Sequence, residues 1–149
     1  MLSARKFSKL SISLFALIVL LAGVGLMTAE DGAGFWKDDA TGLNWAGKDN
    51  GMPITPNEGR AYCERLKMGD FSDWRLPTVE EVEAIYDKEK KPGKIKGATT
   101  LSEPCVLTSS TTRAGETYTF CFNSGSRNVG GGSGCGTTGL ALCVSGGKK

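Results

Sequence analysis

Five cysteines, Cys63, Cys105, Cys121, Cys135 and Cys143, and a complete lack of histidine bound the chemistry open to this 149-residue chain. Without an imidazole, Ser-His-Asp and Cys-His nucleophile systems are excluded, as are zinc sites that need His. No C-x-x-C pair occurs, and the cysteine spacings do not fit a zinc ribbon. In a short exported chain such cysteines point to disulfides. Five is odd, so one thiol is free, bonded to another molecule, or reactive. Asp38-Asp39 and Asp49-Asn50 offer hard oxygen ligands that suit calcium, although their spacing is not that of an EF-hand. Lys88, Lys90, Lys91, Lys94 and Lys96 put five cations in nine residues. That patch suits a solvated, mobile loop, or contact with an anionic polymer or lipid. Trp74-Arg75 joins a stacking ring to a guanidinium fork. The pair suits a binding spot, or a core filler beside a loop tie.

The N-terminal segment decides where the rest of the chain must work. Arg5, Lys6 and Lys9 precede an uncharged run over residues 10–29, densest from Leu14 to Leu21. Twenty helical residues rise about 30 Å, the thickness of a bilayer core, which suits a retained anchor. The same layout suits a cleaved signal peptide with Ala29 at the last leader position, although Met27 is large for the site two residues before it. Either way the basic end stays in the cytoplasm and the remainder crosses the membrane. Residues 1–29 are therefore expected to be a signal peptide or membrane anchor. Residues 30–149 are expected to form a single exported domain, periplasmic, on the cell surface or anchored to the inner membrane.

Eighteen Lys and Arg oppose sixteen Asp and Glu, and three of the cations lie in the leader, so the remainder carries a formal charge of −1. A near-neutral domain lacks the broad positive field that non-specific nucleic-acid binding requires. No nucleic-acid partner is expected, and membrane contact would run through residues 10–29.

The elements follow from local signals. Residues 34–38 and 43–45 read as short strands about a turn at 39–42, with Phe35, Trp36, Leu43 and Trp45 as core. Thr55-Pro56-Asn57-Glu58 starts a helix through a capping box with Pro at its first position, and predicts a helix to about Lys67. Its inward face carries Tyr62 and Leu66, with Cys63 beside them. Thr78-Val79-Glu80-Glu81 repeats that start. Val79, Val82, Ile85 and Tyr86 share one face, and Lys88, Lys90 and Lys91 suit the negative helix end before Pro92-Gly93. Beyond this, residues 105–108, 118–122 and 140–144 read as strands. The glycine-rich stretch 125–139 lacks the Lys-Ser/Thr of a P-loop and reads as a flexible surface loop.

Thr41-Gly42-Leu43-Asn44-Trp45, Glu58-Gly59-Arg60-Ala61-Tyr62-Cys63 and Ser72-Asp73-Trp74-Arg75-Leu76-Pro77-Thr78 together resemble the DUF1566 family, the C-terminal domain of Legionella collagen-like protein. Thr108-Ser109-Ser110-Thr111 is similar to the family's W-S-S-T segment, with Leu107 in place of the tryptophan. Leu142-Cys143-Val144 is similar to its terminal R-C-V-R strand without the arginines. The resemblance implies an α+β, C-type-lectin-like fold related to the formylglycine-generating enzyme. Such a fold has two short helices, a small irregular antiparallel sheet and long loops, here behind one N-terminal hydrophobic helix. It also implies a bridge from the first helix to the final strand, Cys63 to Cys143. Some members of the family look like adhesion domains that bind glycosaminoglycans.

The expected function is a non-catalytic recognition or structural module of the bacterial cell envelope, with an envelope protein or glycan as partner. Alternatives are an accessory subunit of a larger membrane complex, or an enzyme related to formylglycine-generating enzymes with Cys135 or another cysteine as nucleophile. For the remaining thiols, Cys105 and Cys121 flank a hairpin whose antiparallel strands would bring them within bonding range. That leaves Cys135 free or intermolecular. A Cys121–Cys135 bond across the glycine loop competes with it.

Overall fold

Gly42 adopts φ +72° and donates its N–H to Asp38 O at 2.7 Å, turning the chain so that two short strands meet. The Asp38 carboxylate completes this turn by accepting from the Thr41 hydroxyl (2.6 Å) and the Ala40 amide (3.3 Å). A computed structural model describes residues 34–91, 93–130 and 137–147. The chain divides into two units, Met1–Glu30 and Asp31–Lys149, and the described residues belong to the second. The expected hydrophobic helix of the leader and Cys135 both lie outside the described residues. Among those described, no helix is long and apolar enough to cross a membrane.

The architecture is α+β, with two short helices and two three-stranded antiparallel sheets. β1 (Phe35–Asp38) and β2 (Leu43–Ala46) pair in a register that sets Trp36 opposite Trp45, and β6 (Val144–Ser145) adds to the other edge of β2. The second sheet has the order β3 (Cys105–Thr111), β4 (Thr117–Cys121), β5 (Ser126–Val129). Helix α1 (Pro56–Arg65) and helix α2 (Val79–Ala84) both carry complete capping boxes, from Thr55 with Glu58 and from Thr78 with Glu81. Each box satisfies amides that a helix start otherwise leaves unpaired.

One core joins these parts. Trp45, Trp74, Leu76, Ile85, Leu107, Phe120, Phe122, Leu140 and Leu142 are all fully buried. Each removes roughly 1.5–3 kcal/mol worth of apolar surface from water. Gly59 sits inside α1 although glycine costs about 1 kcal/mol in a helix. A Cβ there would lie 2.9 Å from Leu107 Cδ1, so its absence lets α1 settle on β3.

Three expectations need correction. The second helix stops at Ala84 rather than reaching the lysines. Lys96 N–H donates to Ile85 O, and Tyr86 bridges to Ile95, so tertiary bonds draw the chain out of the helix. The stretch 125–139 does not begin as a flexible loop. Gly125 turns at φ +70°, and Ser126–Val129 then pairs residue for residue with β4. Finally, residues 140–143 are buried but do not form a strand: Leu140 makes an isolated bridge to Val106, and only Val144–Ser145 joins a sheet. The Ala141 amide is taken by the Asn50 side chain at 2.7 Å, and Leu140 N–H by Cys105 O at 3.1 Å.

Candidate functional site

The motif segments around Trp74-Arg75, Ser109-Ser110 and Val144 are drawn together, and their polar atoms face one another. Arg75 and Val144 exchange backbone hydrogen bonds at 2.9 Å in both directions. The Arg75 guanidinium forks onto Glu81, at 2.8 and 2.7 Å, and also donates to the carbonyls of Leu76 (3.2 Å) and Gly146 (3.0 Å). Asp73 accepts from the Ser145 hydroxyl and from Gly146 N–H at 3.1 Å. Ser110 accepts the first helical amide of α2, Val79 N–H, at 3.0 Å, while Ser109 N–H donates to Pro77 O at 2.7 Å. Trp74 is 2% exposed and meets Phe35 and Phe71 edge-on at 6.1 and 6.3 Å. Its indole N–H has no hydrogen-bond partner among the described residues, so the ring is there for its area. The segments 72–78, 108–111 and 142–146 thus lock into each other.

Two disulfides complete the lock. Cys63 of α1 is bonded to Cys143 just before β6, with Cα atoms 5.5 Å apart. Cys105 and Cys121 are bonded directly across β3 and β4, Cα atoms 4.0 Å apart, so Cys121 is not paired with Cys135. Residues 34–145, which hold both disulfides and nearly all of these segments, match the family model of the Lcl C-terminal domain. The chain belongs to the Lcl C-terminal domain family. Neither a curated protein nor a solved structure matches it.

Within this Lcl C-terminal domain the Arg75–Glu81 pair has an electrostatic signature. The Glu81 hydrogen bonds raise the Arg75 pKa above its ordinary value. Burial pushes the Glu81 carboxyl up, but the Arg75 hydrogen bonds, the Thr78 amide and the Arg75 charge together outweigh it and hold the group below the ordinary 4.5. The folded state therefore keeps Glu81 ionised to lower pH than the unfolded chain does. The contribution is complete above pH ~4.5 and drains away as pH falls through the depressed value. Glu81→Gln keeps a capping partner yet loses the charge. It should cost about 1–2 kcal/mol at pH 7 and flatten the loss of stability on acidification, read from urea midpoints between pH 7 and pH 3. A slope as steep as that of the parent protein would show that the pair is not linked to folding. Some slope remains, because the Thr55 amide lowers Glu58 and the Arg127 hydrogen bonds lower Glu83.

The aspartates considered for calcium serve the chain's own donors. Asp49, 5% exposed, accepts from Gly51 N–H (2.6 Å), Ser102 N–H (2.6 Å) and the Ser102 hydroxyl (2.9 Å). Asp38 closes the β1–β2 turn, and Asp39 is exposed beside it. Among the described residues, no three His, Cys, Asp or Glu side chains converge as a metal-ligand group.

The lysine segment is a built loop rather than a loose one. Asp87 N–H donates to Lys94 O, Lys90 N–H to Asp87 O and Lys94 N–H to Lys90 O, while Ile95 is buried in the core. Three ammonium groups are steered by carbonyls: Lys90 by Gly97 (2.8 Å), Lys94 by Asn123 (2.9 Å) and Lys96 by Ala84 (2.8 Å). A carbonyl positions a cation without cancelling its charge. Lys88 lies 3.8 Å from Glu89, and Lys91 is exposed. Lys94 holds φ +52°, the one non-glycine residue at positive φ among those described. A long side chain in that region is unusual and requires surrounding support.

Among the described residues two clefts stand out. The larger, about 390 Å³, is lined by Gly93, Lys94, Leu101, Ser102, Glu103, Pro104 and Asn123. The smaller, about 250 Å³, is lined by Pro56, Leu107, Glu116, Thr117, Thr119, Gly130 and Thr137. Of the sequence candidates, only Lys94 reaches a cleft wall. Leu101, Ser102, Glu103, Pro104 and Asn123 were not singled out from the sequence. The available signal was slight: a polar Ser-Glu-Pro step immediately before a strand.

Proposed function

We propose that this chain is a non-catalytic recognition module of the bacterial cell envelope, its lysine loop and the adjoining cleft being the contact surface for an envelope protein or glycan. The observation that carries this is the pair of disulfides inside an Lcl C-terminal domain that follows an apolar leader. Disulfides persist in oxidising compartments, which agrees with export. The signature residues Asp73, Arg75 and Ser110 support the same division of labour, since their polar atoms brace the fold while the ammonium groups of Lys90, Lys94 and Lys96 meet carbonyls. A C-type-lectin-like fold is part of the proposal. Its supports are the two short helices, the small antiparallel sheets and the bond from α1 to the residue just before the last strand.

Fractionation of the native protein, with its intact mass, tests the location. The expected result is recovery in the periplasm or membrane fraction with both disulfides formed. Glycan arrays and envelope pull-downs test recognition. A specific glycan or a reproducible envelope protein is expected, and loss of its binding when Lys90, Lys91 and Lys94 are changed to glutamine. Recovery in the cytoplasm with reduced cysteines would overturn the proposal.

A further inference from the structure

The 390 Å³ cleft falls within the size range of ligand pockets and has walls that are already fixed. Ser102 is held by the buried Asp49 through both its amide and its hydroxyl. Pro104 O accepts Phe122 N–H at 2.8 Å, which ties a second wall to the end of β4. Lys94, on the third wall, is pinned by its ammonium to Asn123 O and held at an unfavourable φ. Rigid walls reduce the ordering cost of binding.

The chemistry of the lining selects among occupants. Gly93, Leu101 and Pro104 supply apolar lining, and Lys94 and Glu103 are its charged residues. Among the described residues none that lines it is aromatic, and a sugar face is best held by an aromatic platform. Glu103 would repel a dense polyanion such as a sulfated polysaccharide, but it can accept a peptide N–H. Across residues 87–103 five lysines oppose Asp87, Glu89 and Glu103, leaving the surroundings positive.

Building on the recognition reading above, we propose that this cleft docks an extended acidic peptide segment of a partner protein. One aliphatic side chain enters beside Leu101 and Pro104, a carboxylate meets Lys94, and a backbone N–H meets Glu103.

Fluorescence anisotropy on the native exported chain tests this with three labelled probes. They are a peptide of alternating aspartate and leucine, the same peptide with serine replacing leucine, and a heparin hexasaccharide. The leucine peptide is expected to bind at least about tenfold more tightly than the serine peptide, as burial of one aliphatic side chain implies. Lys94→Asn is the informative variant, because asparagine tolerates positive φ and the ammonium is removed without backbone strain. It is expected to weaken the leucine peptide about threefold or more, the upper range for one exposed ion pair, while Lys37→Gln on β1 leaves it unchanged. Equal affinity for the two peptides, or no effect of Lys94→Asn, overturns the proposal. Heparin binding tighter than either peptide overturns it too, but leaves the recognition reading standing. Failure of all three probes overturns it, and the envelope pull-down then decides the recognition reading separately.

Discussion

Replacing Cys63 and Cys143 together with alanine is expected to remove about 4 kcal/mol of stability and to lower the melting temperature by roughly 15 °C. The bond closes a sequence separation of 80 residues, so in the chain-entropy account it restricts the unfolded state strongly. Cys105–Cys121 closes a separation of only 16, and the same reasoning gives about 3 kcal/mol. Packing acts in the same direction. Both Cys63 and Cys143 are fully buried, between α1 and the stretch that leads into β6. The Ala46 amide donates to Cys143 O at 3.0 Å, so this cystine also fixes the edge on which β2 receives its last partner. Urea denaturation of the double variant and of the parent measures the loss, and non-reducing peptide mapping verifies which bonds remain. A loss under about 1 kcal/mol, or a smaller loss than for Cys105→Ala with Cys121→Ala, would mean the long loop is constrained by packing instead.

How far this fold was legible depends on how local its causes are. Both helix starts were readable because a capping box is completed within four residues: Thr55 with Glu58 and Thr78 with Glu81. The end of α2 was not, because it is set by Lys96 and Ile95 returning from ten residues further on. β5 was hidden for a similar reason. Ser126-Arg127-Asn128-Val129 has no strand pattern of its own and sits beside a glycine run. Its ladder with β4, and the fork of Arg127 onto Glu83 of α2, select its conformation. Conversely, 140–144 had the apolar run of a buried strand, but most of its amides found partners other than a ladder. For the site, residue type drew attention to Trp74 and Arg75, whose chemistry is turned inward. The cleft escaped notice because residues near 93, 102 and 123 meet only after folding.

Gly97→Ala is expected to cost about 3 kcal/mol, although the residue is exposed and lies in a loop. Two effects combine. Gly97 holds φ +71°, where a Cβ costs roughly 1–2 kcal/mol. A Cβ there would also lie 2.3 Å from the Trp36 indole, a distance that ring atoms cannot accept without moving. Trp36 has little freedom to do so. Its N–H donates to the Thr99 hydroxyl, that hydroxyl donates to Ala46 O at 3.2 Å, and the ring belongs to β1 opposite Trp45. Displacing a packed ring typically adds about 1–3 kcal/mol. Gly97 O also accepts from Lys90, so the strain extends into the lysine loop. Gly115→Ala supplies the comparison, because φ there is +85° but nothing lies within 4 Å of the new Cβ. It should show the backbone penalty alone. The difference between the two variants measures the seat of Trp36 on Gly97, and Trp36→Leu in the Gly97→Ala background should recover part of it. If the two alanine variants melt together, Trp36 does not rest on this glycine and the brace between the lysine loop and β1 is absent.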